Sequence, residues 1–199
     1  MIINTIPVGA YEANCYLLMD ENNKEIAIID PGGDAASIEK QITNLSGKPK
    51  YILLTHGHFD HVGAVEFLAD KYKIPFYISE KDEKLMESDN SVFGNIRKAD
   101  GYIKEGDKIN LGDLEIKVLE TPGHSKGGLC FVAQDNVFTG DTLFQGSIGR
   151  TDFVSGSLEE ILASIKNKLL PLGSDVKVYP GHGPSSTIGY EERNNPFLD

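Results

Sequence analysis

Cysteine is nearly absent from this chain: Cys15 and Cys130 are far apart and form no C-x-x-C pair. That removes the usual signatures of a disulfide framework, a redox dithiol or a thiolate metal site. Basic residues are also in short supply, 19 Lys and Arg against 30 Asp and Glu, for a formal charge of -11. No basic field is available to neutralise a row of phosphates, so nucleic acid and an anionic membrane surface are excluded as partners. Small anions remain admissible, because bound divalent ions would offset negative charge locally. No apolar run approaches membrane-spanning length, and the opening MIINTIPVGAYEANCYLLMD lacks a basic segment followed by an uninterrupted apolar one. The expectation is a cytoplasmic protein with reduced thiols. Low-complexity tracts, linkers and short repeats are missing too.

What is present is enough to build a core. With 199 residues, 40% hydrophobic and 9% aromatic, the chain predicts a single domain over residues 1–199. Apolar runs bounded by Gly, Pro, Asn or Asp predict strands near Cys15–Leu18, Glu25–Ile29, Tyr51–Leu54, Phe76–Ile78, Leu114–Leu119, Leu129–Val132, Val137–Phe138 and Val176–Tyr179. Helices are expected after Pro31, His61, Ile78 and Gly156. Val62, Val65, Leu68, Ala69 and Tyr72 keep helical spacing, as do Leu158, Ile161, Leu162, Ile165 and Leu169. Ser157 and Glu160 resemble a capping box. Strands clustered in both halves, with helices between, suit two packed sheets covered outside by helices, an α/β (α+β) architecture.

The chemistry is concentrated in His56-Gly57-His58-Phe59-Asp60-His61, three imidazoles and a carboxylate within six residues after an apolar strand. Crowded imidazoles repel one another when protonated, whereas as neutral ligands of a cation they are stabilised. Three further candidates, His124, Asp141 and His182, each follow a strand and a Gly, so all five histidines of the chain join the set. Gly lets the backbone approach an ion closely. A catalytic zinc takes about three protein ligands plus water, and seven ligand residues exceed that. Two ions about 3.5–4 Å apart sharing one carboxylate account for the surplus, and Asp141, arriving from a separate strand, suits the shared position.

The motifs T-H-G-H-F-D-H-V-G, T-P-G-H-S, F-T-G-D-T-L-F and Y-P-G-H-G-P resemble the metal motifs of the metallo-β-lactamase superfamily, with similarity from Asp30-Pro-Gly-Gly to Pro184. Within it the chain looks like the glyoxalase II group, hydroxyacylglutathione hydrolases, in its short single-domain bacterial form. The resemblance implies a four-layer αββα sandwich, the metallo-β-lactamase fold. It assigns His56, His58 and His124 to one ion, Asp60, His61 and His182 to the other, and Asp141 to both. Zinc is the implied metal, with iron or manganese accepted. Hydrolysis of a small-molecule thioester follows, by water activated as hydroxide between the ions, with Asp60 as the catalytic residue that orients it.

Substrate contacts are less determined. Longer glyoxalase II enzymes resemble Gln145–Phe153 but carry a Lys and a Tyr near Arg150 and Asp152 that help hold glutathione. Here Arg150 offers a cation for a substrate carboxylate, or else pairs with Asp152. The additional C-terminal helical domain that completes their glutathione site is not expected before Asp199. Phe144 could line the pocket, but an aromatic after a metal-binding loop is more often core; Tyr190 reads as packing in a closing helix, Cys130 as a small hydrophobe, and Cys15, which could be reactive beside Asn14, as more readily buried in an early strand. A rival on the same fold is the persulfide dioxygenase, which shares Gly-Arg-Thr-Asp-Phe and would use one iron on His56, His124 and Asp141. The antibiotic-hydrolysing branch generally places another ligand, often Cys, at the position of Asp141.

Overall fold

The computed structural model describes residues 1–89 and 91–198. The first sheet takes β1 (Ile2–Val8), β2 (Ala13–Met19), β3 (Glu25–Ile29), β4 (Lys48–Leu53), β5 (Phe76–Ile78) and β6 (Gly101–Tyr102), hydrogen-bonded in chain order. The second takes β7 (Lys108–Leu111), β8 (Leu114–Glu120), β9 (Leu129–Ala133) and β10 (Asn136–Gly140). Next come a hairpin outside the sheet, β11 (Leu143–Phe144) and β12 (Ser147–Ile148), and then β13 (Lys177–Pro180) and β14 (Ser186–Thr187). The second sheet is ordered β14-β13-β10-β9-β8-β7. Helices α1 (Ala35–Asn44), α2 (Phe59–Val62), α3 (Val65–Tyr72), α4 (Glu80–Ser88), α5 (Leu158–Ser164) and α6 (Ile188–Asn194) complete the fold. Among the described residues no helix is long and apolar enough to cross a membrane.

Three hydrophobic clusters make the four layers physical. Every residue of β2 is buried, and alternate side chains go to opposite faces. Cys15, Leu17 and Met19 pack with Ile38 and Ile42 of α1 and Val65 and Leu68 of α3. Tyr16 and Leu18 instead meet Ile116, Val118, Phe131 and Phe138 of the other sheet. On the far side, Cys130, Val137 and Val178 pack beneath Ile161, Ile165 and Ile188. Strands buried on both faces read as continuous apolar runs rather than alternating ones, which is why β2, β3 and β4 stand out in the sequence. The two cysteines lie in different outer cores, free and buried. Burial pushes both thiols up, Cys130 to about 12, so neither is a ready nucleophile.

The expected αββα sandwich is therefore the observed fold, with differences in detail. β1 escapes the hydrophobic pattern because it is an edge strand, only Ile6 and Val8 of it being buried. The Val62–Tyr72 pattern is split at Gly63 into α2 and α3. The Leu158–Leu169 pattern begins as predicted, Ser157 accepting from the Glu160 amide, but passes into a π turn over Ile165–Leu169. A one-residue widening keeps Ile165 and Leu169 on the buried side.

Topology gathers one end of the sandwich. β3 and β4 are parallel; β8 and β10 both run antiparallel to β9, and β13 runs parallel to β10. Their carboxyl ends deliver Asp30, His56, His124, Asp141 and His182 to the same edge, where strand-end loops of α/β sheets commonly bind ligands. The sheets are stitched together there. The Asn14 amide donates to Gly181 O at 2.7 Å, its side chain donates to Pro180 O and Gly183 O, and Tyr16 OH donates to Pro180 O.

Candidate metal centre

Five imidazoles converge, and the backbone decides which nitrogen of each faces inward. His124 Nδ1 donates to Arg150 O at 2.8 Å and His182 Nδ1 to Tyr11 O at 3.1 Å. His61 Nδ1 donates to Asp30 Oδ2 at 3.0 Å. Thr55 Oγ1 donates to the same carboxylate at 2.5 Å, so it accepts from His56 Nδ1 at 3.1 Å. Four rings are thereby fixed with Nε2 turned to the centre. His58 is reversed: its Nδ1 faces His124 Nε2 at 2.9 Å, and its ring lies against Phe93 and Phe153. Outer hydrogen bonds of this kind set tautomer and orientation in metal sites.

Among the described residues three groups of ligand-type atoms are compact: His56, His58 and His124; Asp60, His61 and His182; and Asp30, His56 and His61, in which Asp30 is already bonded to Thr55 and to His61 Nδ1. Within each, the ligand atoms lie within 4.8 Å of one another. Asp141 sits between the first two, Oδ1 3.4 Å from His61 Nε2 and Oδ2 3.5 Å and 3.7 Å from Nε2 of His124 and His182. His56 Nε2, His61 Nε2 and Asp141 Oδ1 are buried without a hydrogen-bond partner among the described residues. Orphaned buried polar atoms are costly. Several converging on one point, all of ligand type and none a thiolate, are what hard or borderline divalent ions require. The residues present fit such ions.

Electrostatics agree. Burial and the neighbouring imidazoles depress His56 well below its ordinary value, and burial together with His124 brings His58 down to about 3. Both are neutral, and so ligand-competent, at neutral pH. Burial also disfavours charge on His61, but Asp141 and Asp30 overcome it and raise the imidazole well above the usual range. Asp141 is the converse case: burial raises it, and His61, His124 and His182 pull it far down.

Close backbone approach matters at two glycines. A Cβ on Gly181 would stand 2.1 Å from Asp141 Oδ1 and 2.9 Å from the His61 ring, and one on Gly140, at φ +47°, would meet Thr55 Oγ1 at 2.4 Å. Any side chain at either position would enter the cluster.

All seven sequence-predicted residues, His56, His58, Asp60, His61, His124, Asp141 and His182, are brought together. Arg150 is beside them on the wall of a cavity of about 350 Å³, but its guanidinium is already engaged, donating twice to Asp152 at 2.9 and 2.7 Å and stacking on Phe153 at 4.1 Å. Phe144 lines the cavity with its ring 6.2 Å from that of His182, contrary to the packing role expected. Tyr190 is 43% exposed rather than packed.

Two buried carboxylates escaped the sequence reading. Asp30, ending β3 before Pro-Gly-Gly, orients His56 and His61 as described. Asp82, fully buried on α4, accepts from Gly57 N at 3.0 Å, Ser125 Oγ at 2.8 Å and Gly127 N at 2.6 Å. It straps the loop of His56 and His58 to that of His124, and burial raises its pKa against those bonds. A strand-terminal Asp before Pro-Gly-Gly was a usable signal; a lone Asp in a charged helix was none. Asp82→Ala strands three buried donors and is expected to cost about 3–5 kcal/mol of stability. Metal affinity should fall about 10–100-fold. Urea denaturation and competition against a chromophoric chelator measure the two effects, and a loss below about 1 kcal/mol would remove Asp82 from this role.

A sequence profile of the Metallo-beta-lactamase superfamily matches residues 8–189, and the chain belongs to that superfamily. Its fold implies divalent metal binding by a metal-dependent hydrolase. Hydroxyacylglutathione hydrolase GloC of Haemophilus influenzae is 41% identical over 100% of this chain and 99% of its own, and probable metallo-hydrolase YqgX of Bacillus subtilis is 38% identical over 98% and 96%. Among solved structures, the BLEG-1 B3 metallo-beta-lactamase superposes with a TM-score of 0.92 at 38% identity, covering 99% of both chains. TTHA1623 in a di-iron-bound form gives 0.88 at 34%, covering 98% of this chain and 100% of that one. ETHE1 from Myxococcus xanthus gives 0.83 at 27%, covering 98% and 84%.

Proposed function

We propose that the protein is a two-metal thioester hydrolase of the glyoxalase II type, acting on a small 2-hydroxyacyl thioester. The observation that carries this reading is the pair of ligand triads that share no residue, with Asp141 between them. His56, His58 and His124 would hold one ion and Asp60, His61 and His182 the other, with Asp141 placed to serve either. Zinc is the favoured metal, with iron or manganese as alternatives. When bound, the ions supply Lewis acidity toward the acyl carbonyl and lower the pKa of water from 15.7 toward about 7. The 41% identity to a hydroxyacylglutathione hydrolase supports the thioester as substrate class.

The chain's own residues supply orientation. Asp60 lies 3.3 Å from His182 Nε2 and is depressed: burial raises its carboxyl, but His182 and His61 more than offset this. It stays an acceptor and can fix the direction of a water proton. Asp30 and the carbonyls of Arg150 and Tyr11 hold the rings against rotation. No side chain is needed to protonate the leaving group, because a thiol with pKa about 8.5 departs as thiolate near neutral pH.

Metal-quantified protein is expected to hydrolyse S-D-lactoylglutathione or the D-lactoyl thioester of another thiol, and chelator stripping to lower that rate by about 100-fold or more. Absence of turnover on every thioester would overturn the reading, as would opening of a β-lactam in its place. The single-iron dioxygenase reading leaves Asp60, His61 and His182 without a partner ion. Oxygen uptake with a glutathione persulfide at one iron per chain would establish it instead.

A further inference from the structure

Apart from the candidate ligands, six of the eight described residues lining the cavity are apolar or aromatic: Tyr11, Phe59, Val92, Phe144, Ile148 and Phe153. Tyr11 and Phe59 meet edge to face at 5.2 Å and remain 62% and 42% exposed, a hydrophobic lip on the cavity. The other two are Ser147 and Arg150, so Arg150 is the only Lys or Arg among the described lining residues. Its guanidinium is already engaged by both oxygens of Asp152 and by the Phe153 ring. Asp152 is tethered two residues away, and a tethered partner competes at an effective concentration that a free metabolite carboxylate does not match. Once displaced, it would also stand as a like charge beside the incoming carboxylate. The formal charge of -11 adds no compensating field.

We propose that this cavity selects thioesters whose thiol carries a neutral, partly apolar tail, and that Asp152 is the specificity determinant, occupying Arg150 in place of a substrate carboxylate. The inference rests on the thioesterase reading for the identity of the reacting bond, but not for the binding preference. Glutathione, with two carboxylates, is on this view a poor fit. A tail of amide and methylene groups, as in N-acetylcysteamine, lies against the aromatic walls without losing a charge's hydration.

The test pairs hydrolysis with binding in the metal-loaded protein. D-lactoyl thioesters of N-acetylcysteamine and of glutathione are compared by kcat/KM. S-hexyl-N-acetylcysteamine and S-hexylglutathione, which have no scissile acyl bond, are compared by calorimetric Kd. The native protein is expected to favour the neutral member of each pair at least five-fold, and D152N, a change at an exposed position, to narrow each ratio at least three-fold by improving the glutathione member. Equal or tighter binding of S-hexylglutathione by the native protein overturns the inference, as does an unchanged binding ratio in D152N. If neither thioester is cleaved while the thioether preference and its response to D152N hold, the thioesterase reading falls and the binding specificity stands.

Discussion

Asp141→Asn is expected to lower kcat/KM on the proposed thioester by about three orders of magnitude or more, and to lower the metal content from the proposed two ions per chain to one or fewer. Among the described residues Asp141 is the one carboxylate within 4 Å of nitrogens from both triads. It is also the ionised centre that balances charge on either side, since the surrounding imidazoles hold it deprotonated although its side chain is largely buried. Asparagine keeps the volume and one acceptor but loses the charge, and a loss of about 4 kcal/mol in transition-state stabilisation corresponds to the thousand-fold drop. Asp60→Asn alters a ligand of one triad only, so kcat should fall steeply while the ion on His56, His58 and His124 is retained. Metal analysis beside steady-state kinetics reads both. Asp141→Asn protein with two ions and near-native turnover would refute the shared-carboxylate arrangement.

Returning metal to stripped protein is expected to raise Tm by roughly 8–16 °C per filled site. At a thousand-fold excess of free ion over Kd, binding to the folded state alone stabilises it by about 4.1 kcal/mol. Each 1 kcal/mol shifts Tm by roughly 2–4 °C for a chain of this size. The molecular cause is visible in the cluster. Ring centroids of His56 lie 4.2 Å from His61 and 4.6 Å from His58, and His58 lies 4.6 Å from His124. Buried nitrogens there have no hydrogen-bond partner among the described residues, so without a cation the fold bears most of their desolvation uncompensated. Calorimetry of stripped and reloaded protein measures the shift, and a Tm insensitive to divalent ions would mean that the cluster does not bind them.

How much was legible in advance differs between the layers of the fold. Central strands and the metal-ligand candidates were readable because each leaves a local imprint. Double-sided burial makes β2, β3 and β4 unbroken apolar runs, and no packing demand produces three histidines within six residues. Edge elements left little imprint. β1 alternates weakly because one face is wet, and β11 and β12 are two residues each, held by the buried Glu191 carboxylate accepting from Gly146 N at 2.8 Å. The carboxylates Asp30 and Asp82 act through bonds to backbone and side chains 25 to 45 residues away, a separation that carries no periodicity.

The amino-acid sequence by itself determined the kind of chemistry available, because ligand type, ligand number and the glycines that admit close approach are properties of local strings. It also determined the sandwich, through the lengths and two-sided hydrophobicity of its strands. Only the tertiary structure decided which nitrogen each imidazole presents, since that depends on carbonyls of Tyr11 and Arg150 supplied from other loops. Likewise it alone engaged Arg150 with Asp152 and Phe153 and turned Phe144 into the cavity. Short-range spacing constrains which groups can meet, whereas their orientation is settled by hydrogen bonds and packing between segments distant in the chain.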